Sequence, residues 1–344
     1  MKRIVGVDVA RGLAVLGMMT AHVGVVGPGL WSSTGWLAVA DGRSAATFAV
    51  LSGVSVALLT GGPQPVTGTD RFRARVKIGI RAVLLLILGV LLTGLGAPVA
   101  VILQSYAAYF LLVLPVLRAA PAVLVGLATL MAVVGPPVCF ALGDALDGYD
   151  GRPYALAVDV LISGTYAAGI WMAYVLTGLA VGRLDLLRGD VRRGLVLAGA
   201  GLAVAGYIGG SLAFRAAAGA GPEVLRLLSV EPHADSTFEV VGNTGVALGV
   251  LGLCLVVADR WPRVVYPVAA TGALALSVYS VHIVAIAALG PQVVYQPDVA
   301  THVTFVVVAL VVASGWRAWL GRGPLELLLH GLSTDTAKAV TRTT

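Results

Sequence analysis

The chain has 344 residues, of which 58% are hydrophobic and only 12% charged. An ordinary soluble domain carries about 25% charged residues, so the polar surface here is too small to coat a globule in water. An all-α polytopic membrane bundle is the remaining fold class. The net charge of +6 does not indicate a nucleic-acid partner, because the basic residues cluster in turns between apolar runs, where orientation signals belong.

The apolar runs fall at 9–27, 36–60, 79–96, 98–117, 121–142, 160–182, 195–214, 240–258, 267–289 and 302–320. Each is long enough to cross ~30 Å of hydrocarbon, so about ten transmembrane helices are expected in one domain covering 1–344. The first run follows Met1-Lys2-Arg3 as a secretory leader would, but Asp8 and Arg11 interrupt it, and a retained helix is expected. Asp8, Arg11 and His22 share one stripe of that helix, since at ~100° per residue Arg11 and His22 point within ~20° of each other. Ionisable groups in a bilayer cost ~2.5–3.5 kcal/mol each, so the stripe should face the bundle interior.

The second run opens with Asp41-Gly42-Arg43. Asp41 and Arg43 diverge on a regular helix, and Gly42 is expected to mark a break after a short interfacial segment around Trp36. Arg71, Arg73, Arg75, Lys77 and Arg81 crowd the start of the third run and read as a cationic funnel or as a lipid-facing basic loop. In the loop before the eighth run, Glu231-Pro232-His233-Ala234-Asp235 reads as a solvated cluster, with contact to an acceptor or weak metal binding as the other reading. In the ninth run Thr271, Ala275, Tyr279 and His282 step by four, four and three along one face. Cys139 and Cys254 lie inside apolar runs without partner spacing, so neither a disulfide nor a thiolate metal site is expected.

Eighteen of the 23 basic residues, including Lys2, Arg118, Arg183, Arg322 and Arg342, fall in alternate connections. The opposite connections hold three, Arg152, Arg215 and Arg226, beside acidic residues such as Asp144, Asp147 and Asp150. That split predicts cytoplasmic termini. His22, Asp41, Arg43 and His282 then lie at similar depth near the outer face, with Asp8 and Arg11 at the inner end. An imidazole with a carboxylate and a guanidinium can support acyl transfer, as base or acyl relay, orienting group and oxyanion partner. A cationic inner face would attract a phosphorylated donor such as acyl-CoA. No GxxxxGK, HExxH or GxSxG pattern occurs, and no metal is expected.

The stretch from Arg3 to Ala14, with Met18, Met19 and His22, resembles the opening of the heparan-α-glucosaminide N-acetyltransferase-like family. Asp41, Phe48 and Leu51-Ser52-Gly53-Val54-Ser55-Val56-Ala57-Leu58 resemble its next span. Leu274-Ala275-Leu276-Ser277-Val278-Tyr279 and Gly323-Pro324-Leu325-Glu326-Leu327-Leu328-Leu329 are similar to the related YeiB-like family. Both resemble the transmembrane acyltransferase superfamily, whose envelope O-acyltransferases have a similar Asp-x-x-Arg…His first helix. The resemblance implies acetyl-CoA, or another acyl-CoA, as a cytoplasmic donor, with the acyl group crossing to an acceptor outside. The heparan family's histidine in the following loop has no counterpart at 27–35, where Trp31 stands, and His330 replaces a usual basic residue.

The resulting expectation is a bacterial plasma-membrane acyltransferase acting on an envelope glycan or lipid-linked acceptor. His22, Asp41, Arg43 and His282 would form its catalytic group. Asp8, Arg11, Arg71, Arg73, Arg75, Lys77 and Arg81 would line the donor channel. A transporter or flippase without covalent chemistry is the alternative. Membrane lipid is an expected partner, and a homo-oligomer is left open.

Overall fold

In hydrocarbon every backbone N–H and C=O needs an internal partner, which a helix supplies within one segment. The computed structural model describes residues 3–29, 31–146, 148 and 151–340, and these form helices and turns with no strand. Lys2, Asp147, Asp150 and Arg342 of the charge pattern lie outside the described residues. Helix α1 covers Val5–Val23, and a 3₁₀ turn at Gly35–Ala40 leads into α2, Arg43–Leu59. They are followed by α3 (Gly68–Thr93), α4 (Leu103–Leu112) and α5 (Pro121–Ala145). A short α6 (Ala155–Val158) passes through a π-helical turn towards α7 (Ala168–Val181). Another π-turn joins α8 (Gly189–Ala203) to α9 (Gly209–Ala216), and α10 covers Pro222–Leu228. The chain continues with α11 (Thr237–Arg260), α12 (Tyr266–Ala273), α13 (Ala275–Leu289), α14 (Gln292–Tyr295), α15 (Val299–Trp319) and α16 (Pro324–Val340).

Among the described residues six helices are long and apolar enough to cross a membrane, or eight when two bent pairs each count as one span. Ten crossings were expected, and two of those runs differ. The run at 9–27 forms α1, whose Asp8, Arg11 and His22 dilute its apolar character, and the run at 98–117 yields only the ten-residue α4. Helices α1, α2, α7 and α11 form the interior; 61% of the apolar window of α11 is buried, against 6% for α15. Small residues permit this close packing. A Cβ on Gly178 of α7 would lie 1.8 Å from the Val50 carbonyl oxygen of α2, so only glycine fits there.

The run at 267–289 is not one straight helix. It bends by 82° at Leu274, which removes Thr271 from the face shared by Ala275, Tyr279 and His282. Glu326 of α16 holds the break open. Its carboxylate accepts the backbone N–H of Leu276 at 2.7 Å and of Ser277 at 3.1 Å, and the Ser277 hydroxyl at 2.5 Å. The free N–H groups at the head of α13 are thereby satisfied by an anion, which the helix dipole also favours.

Arg183 performs the complementary task at helix C-termini. Buried just beyond α7, its guanidinium donates to the carbonyls of Ala57 (3.1 Å), Gly62 (2.9 Å) and Leu117, and to the Thr60 hydroxyl at 2.8 Å. Arg183→Met would leave these buried acceptors unpaired and should cost about 2–4 kcal/mol. Thermal unfolding in detergent should show a melting temperature several degrees lower, with Arg183→Lys recovering only part of the loss, because one ammonium cannot span the same acceptors.

Candidate functional site

The stripe on α1 divides between two ends of the bundle. At one end Asp8 is buried, 3.1 Å from the Arg11 guanidinium and 2.5 Å from that of Arg3, and Arg11 also donates to the Ser55 hydroxyl at 2.7 Å. At the other end His22 Nδ1 lies 3.0 Å from His282 Nε2, with the rings stacked at 5.2 Å. The two histidines expected at one depth therefore meet, 260 residues apart in sequence. Tyr279 packs edge-on against His282 at 5.1 Å, and its hydroxyl accepts the Ile102 N–H at 3.3 Å. Two neutral imidazoles bonded this way place one proton between them, donated from either side.

Asp41 and Arg43 take different partners. Gly42, with φ of +67°, ends the 3₁₀ turn and starts α2, as expected from its spacing. Asp41 Oδ1 lies 3.5 Å from His233 Nε2, whereas the Arg43 guanidinium sits 4.6 Å above the Tyr207 ring. The two side chains do not act as a pair.

His233, outside the expected catalytic group and offered by the sequence only in the second reading of its loop, is the partner that Asp41 takes. Its loop is shaped by Glu239, buried in the first turn of α11. Ser236 caps that helix by accepting the Glu239 N–H at 3.0 Å. In a capping box the glutamate would reach back to the N-cap amide. Here it reaches further, accepting the N–H of Asp235 at 2.7 Å and of His233 at 2.9 Å. Both residues adopt left-handed backbones, φ 52° and 60°, a strain of ~1–3 kcal/mol each that persists only where the surroundings impose it. Asn243 adds a third bond to Glu239 at 3.1 Å and accepts the Tyr207 hydroxyl at 2.5 Å. Trp171 Nε1–H donates to Asp235 at 2.9 Å. The expectation of a solvated cluster thus gives way to an ordered loop; the Ser236-x-x-Glu239 spacing was the signal that could have revealed it.

Electrostatics follow from this geometry. Burial works to lower the His233 pKa, but the hydrogen bond and charge of Asp41 outweigh it and hold the imidazole above its ordinary value. Burial first, and then the charge of Glu239, push the Asp235 carboxyl up to about 7. His233 and Asp235 line a cleft of about 810 Å³ together with Ser163, Thr165, Asp144 and Arg226. The Arg226 guanidinium lies 3.7 Å from the Phe140 ring centroid and 3.6 Å from Asp144. Such a mixture of charge, hydroxyls and an aromatic face suits a polar ligand.

The basic cluster on α3 does not converge. Arg71 and Arg75 point to one side and Arg73, Lys77 and Arg81 to the other, as their spacing on a helix requires. Arg71 lies beside Thr60 and Arg118, and Arg73 pairs with Asp70 at 3.2 Å. Arg81 donates to the Ser333 hydroxyl at 3.4 Å and sits within electrostatic reach of Arg11 and Arg322, which joins it to the Arg11 end. Among the described residues no three His, Cys, Asp or Glu side chains are placed to hold a metal ion.

Residues 3–206 match the family model described as heparan-alpha-glucosaminide N-acetyltransferase, catalytic. The match takes in His22, Asp41, Arg43 and the basic cluster, and it ends before His233, Glu239 and His282. No curated protein matches the chain.

The loop has a pH signature. A carboxyl raised to about 7 in the folded state holds its proton while the unfolded chain, with an ordinary aspartate near 3.9, has lost it. Stability should therefore fall as pH rises from about 4 through 7, and the raised His233 pKa extends the fall in the same direction. Asp235→Asn should flatten the lower part of this dependence in thermal unfolding followed against pH.

Proposed function

The chain belongs to the heparan-alpha-glucosaminide N-acetyltransferase catalytic family, and on that premise we propose a membrane acetyltransferase that takes its acyl group from acyl-CoA at the Arg11 end and delivers it to a sugar or other polar envelope acceptor at the His22 end. The 18:3 division of basic residues supports a cytoplasmic Arg11 end, in what we take to be a bacterial plasma membrane. Arg11 and Arg81, with Arg322 beside them, would draw the donor's phosphates to that end, and Asp8 fixes Arg11 there.

The observation that carries this reading is His233, which lines a polar cleft and is paired with Asp41, within electrostatic reach of the His22–His282 imidazole pair. Asp41 orients His233, which takes the proton from an amine or hydroxyl of the acceptor as that group attacks the thioester carbonyl carbon. The carbon–sulfur bond breaks, and the proton that His233 took from the acceptor passes to the departing thiolate, with the His22–His282 pair as the relay, which returns His233 to its starting state. Arg43 acts as a positioning residue: it stacks on Tyr207, which bonds Asn243 and so supports Glu239 beneath the loop.

Purified protein in proteoliposomes, given radiolabelled acetyl-CoA and glucosamine, should label the acceptor and release free CoA. His233→Gln and His22→Ala should each lower kcat by about 10²–10⁴. Uptake of a solute into the vesicles without CoA release would replace this reading with transport.

A further inference from the structure

A second cavity, of about 400 Å³, runs between α13 and α15. α15 packs on α12, and the 82° bend carries α13 away from it, so the two helices part. The slot extends along α15 from Thr304 to Trp316, a length of ~18 Å at the helical rise. Val278 and Val281 face Phe305, Val308 and Val312 across it, and Val281, Val308 and Val312 are exposed in the isolated protein. Both walls belong to candidate membrane spans, so the open side faces hydrocarbon.

The imidazoles stand at one end, while Ser277 and Trp316 at the other are bonded to Glu326 and the Arg322 carbonyl. His282 forms part of the wall at the imidazole end, bonded to His22, and its buried Nδ1 has no partner. His302, bonded to Thr20 at 3.0 Å, stands just beyond Thr304. His282 comes seven residues before the end of α13 at Leu289, which places the imidazole end ~10 Å inside that helix terminus. A phospholipid with its headgroup at the membrane surface would leave this end unmatched. A lipid whose polar head is drawn into the protein would fill both parts.

We propose that the groove holds the hydrocarbon tail of the acceptor, which is therefore a membrane-anchored amine or hydroxyl compound with its polar head at the His282 end. This inference rests on the acetyltransferase reading. Glucosamine and dodecyl glucosaminide, which share a head and differ in the tail, separate the two in nanodiscs. KM for the dodecyl compound should be lower by about tenfold or more, from burial of the chain. Val308→Trp, which fills the slot from the lipid side, should erase that ratio, whereas Val311→Trp, exposed and outside the slot, should preserve it. Equal KM values, or a ratio untouched by Val308→Trp, would overturn the proposal. If neither compound is acetylated, the acetyltransferase reading fails, and the groove is then judged by binding. A dodecyl glucosaminide carrying a diazirine in its chain should crosslink to α13 and α15 and be displaced by the unlabelled compound but not by phosphatidylglycerol. Equal displacement by the phospholipid would show that bulk lipid covers the groove.

Discussion

A carboxylate at the head of a membrane helix must find donors, because burying it alone costs several kcal/mol. Glu239 finds them in the backbone amides of His233 and Asp235 and in Asn243. That requirement pulls the loop across the end of the bundle and forces two side-chain-bearing residues into left-handed conformations. It also sets His233 against Asp41 and Asp235 against Trp171. The wall of the polar cleft is thus the consequence of satisfying one buried anion.

The same logic governs the other polar groups. Glu326 fills the head of α13 and creates the bend, and the bend both brings His282 to His22 and opens the groove beside α15. Arg183 collects carbonyls at the opposite polarity. Aromatic side chains pack beside both histidine sites: Tyr279 meets His282 at 5.1 Å, Tyr106 and Tyr109 contact each other edge-on, Tyr166 contacts Trp171, and Tyr166 also meets His233 at 6.0 Å.

Helical periodicity made α1 legible, because two charges and a histidine on one stripe of an apolar helix have few stable placements. The shared stripe of Asp8 and Arg11 and the break at Gly42 follow from spacing alone, and the structure adds that the two charges pair. The meeting of His22 with His282 followed from depth, once the basic turns had suggested an orientation. The bend at Leu274 was hidden, since the apolar run continues through it and its cause, Glu326, lies 50 residues beyond the Leu276 amide that it binds. His233 was hidden because a short loop rich in Glu, His and Asp has the composition of a solvated one; only the tertiary role of Glu239 distinguishes it. The basic residues of α3 read as one cluster by density, yet their angular positions separate them.

The most direct measurement of this dependence is a double-mutant cycle on acetyl transfer, combining Glu239→Gln with His233→Gln. If Glu239 acts by holding His233 against Asp41, the double variant should be no slower than His233→Gln alone. Losses that multiply would mean that the two residues act independently, and would contradict the view that one buried carboxylate builds the site.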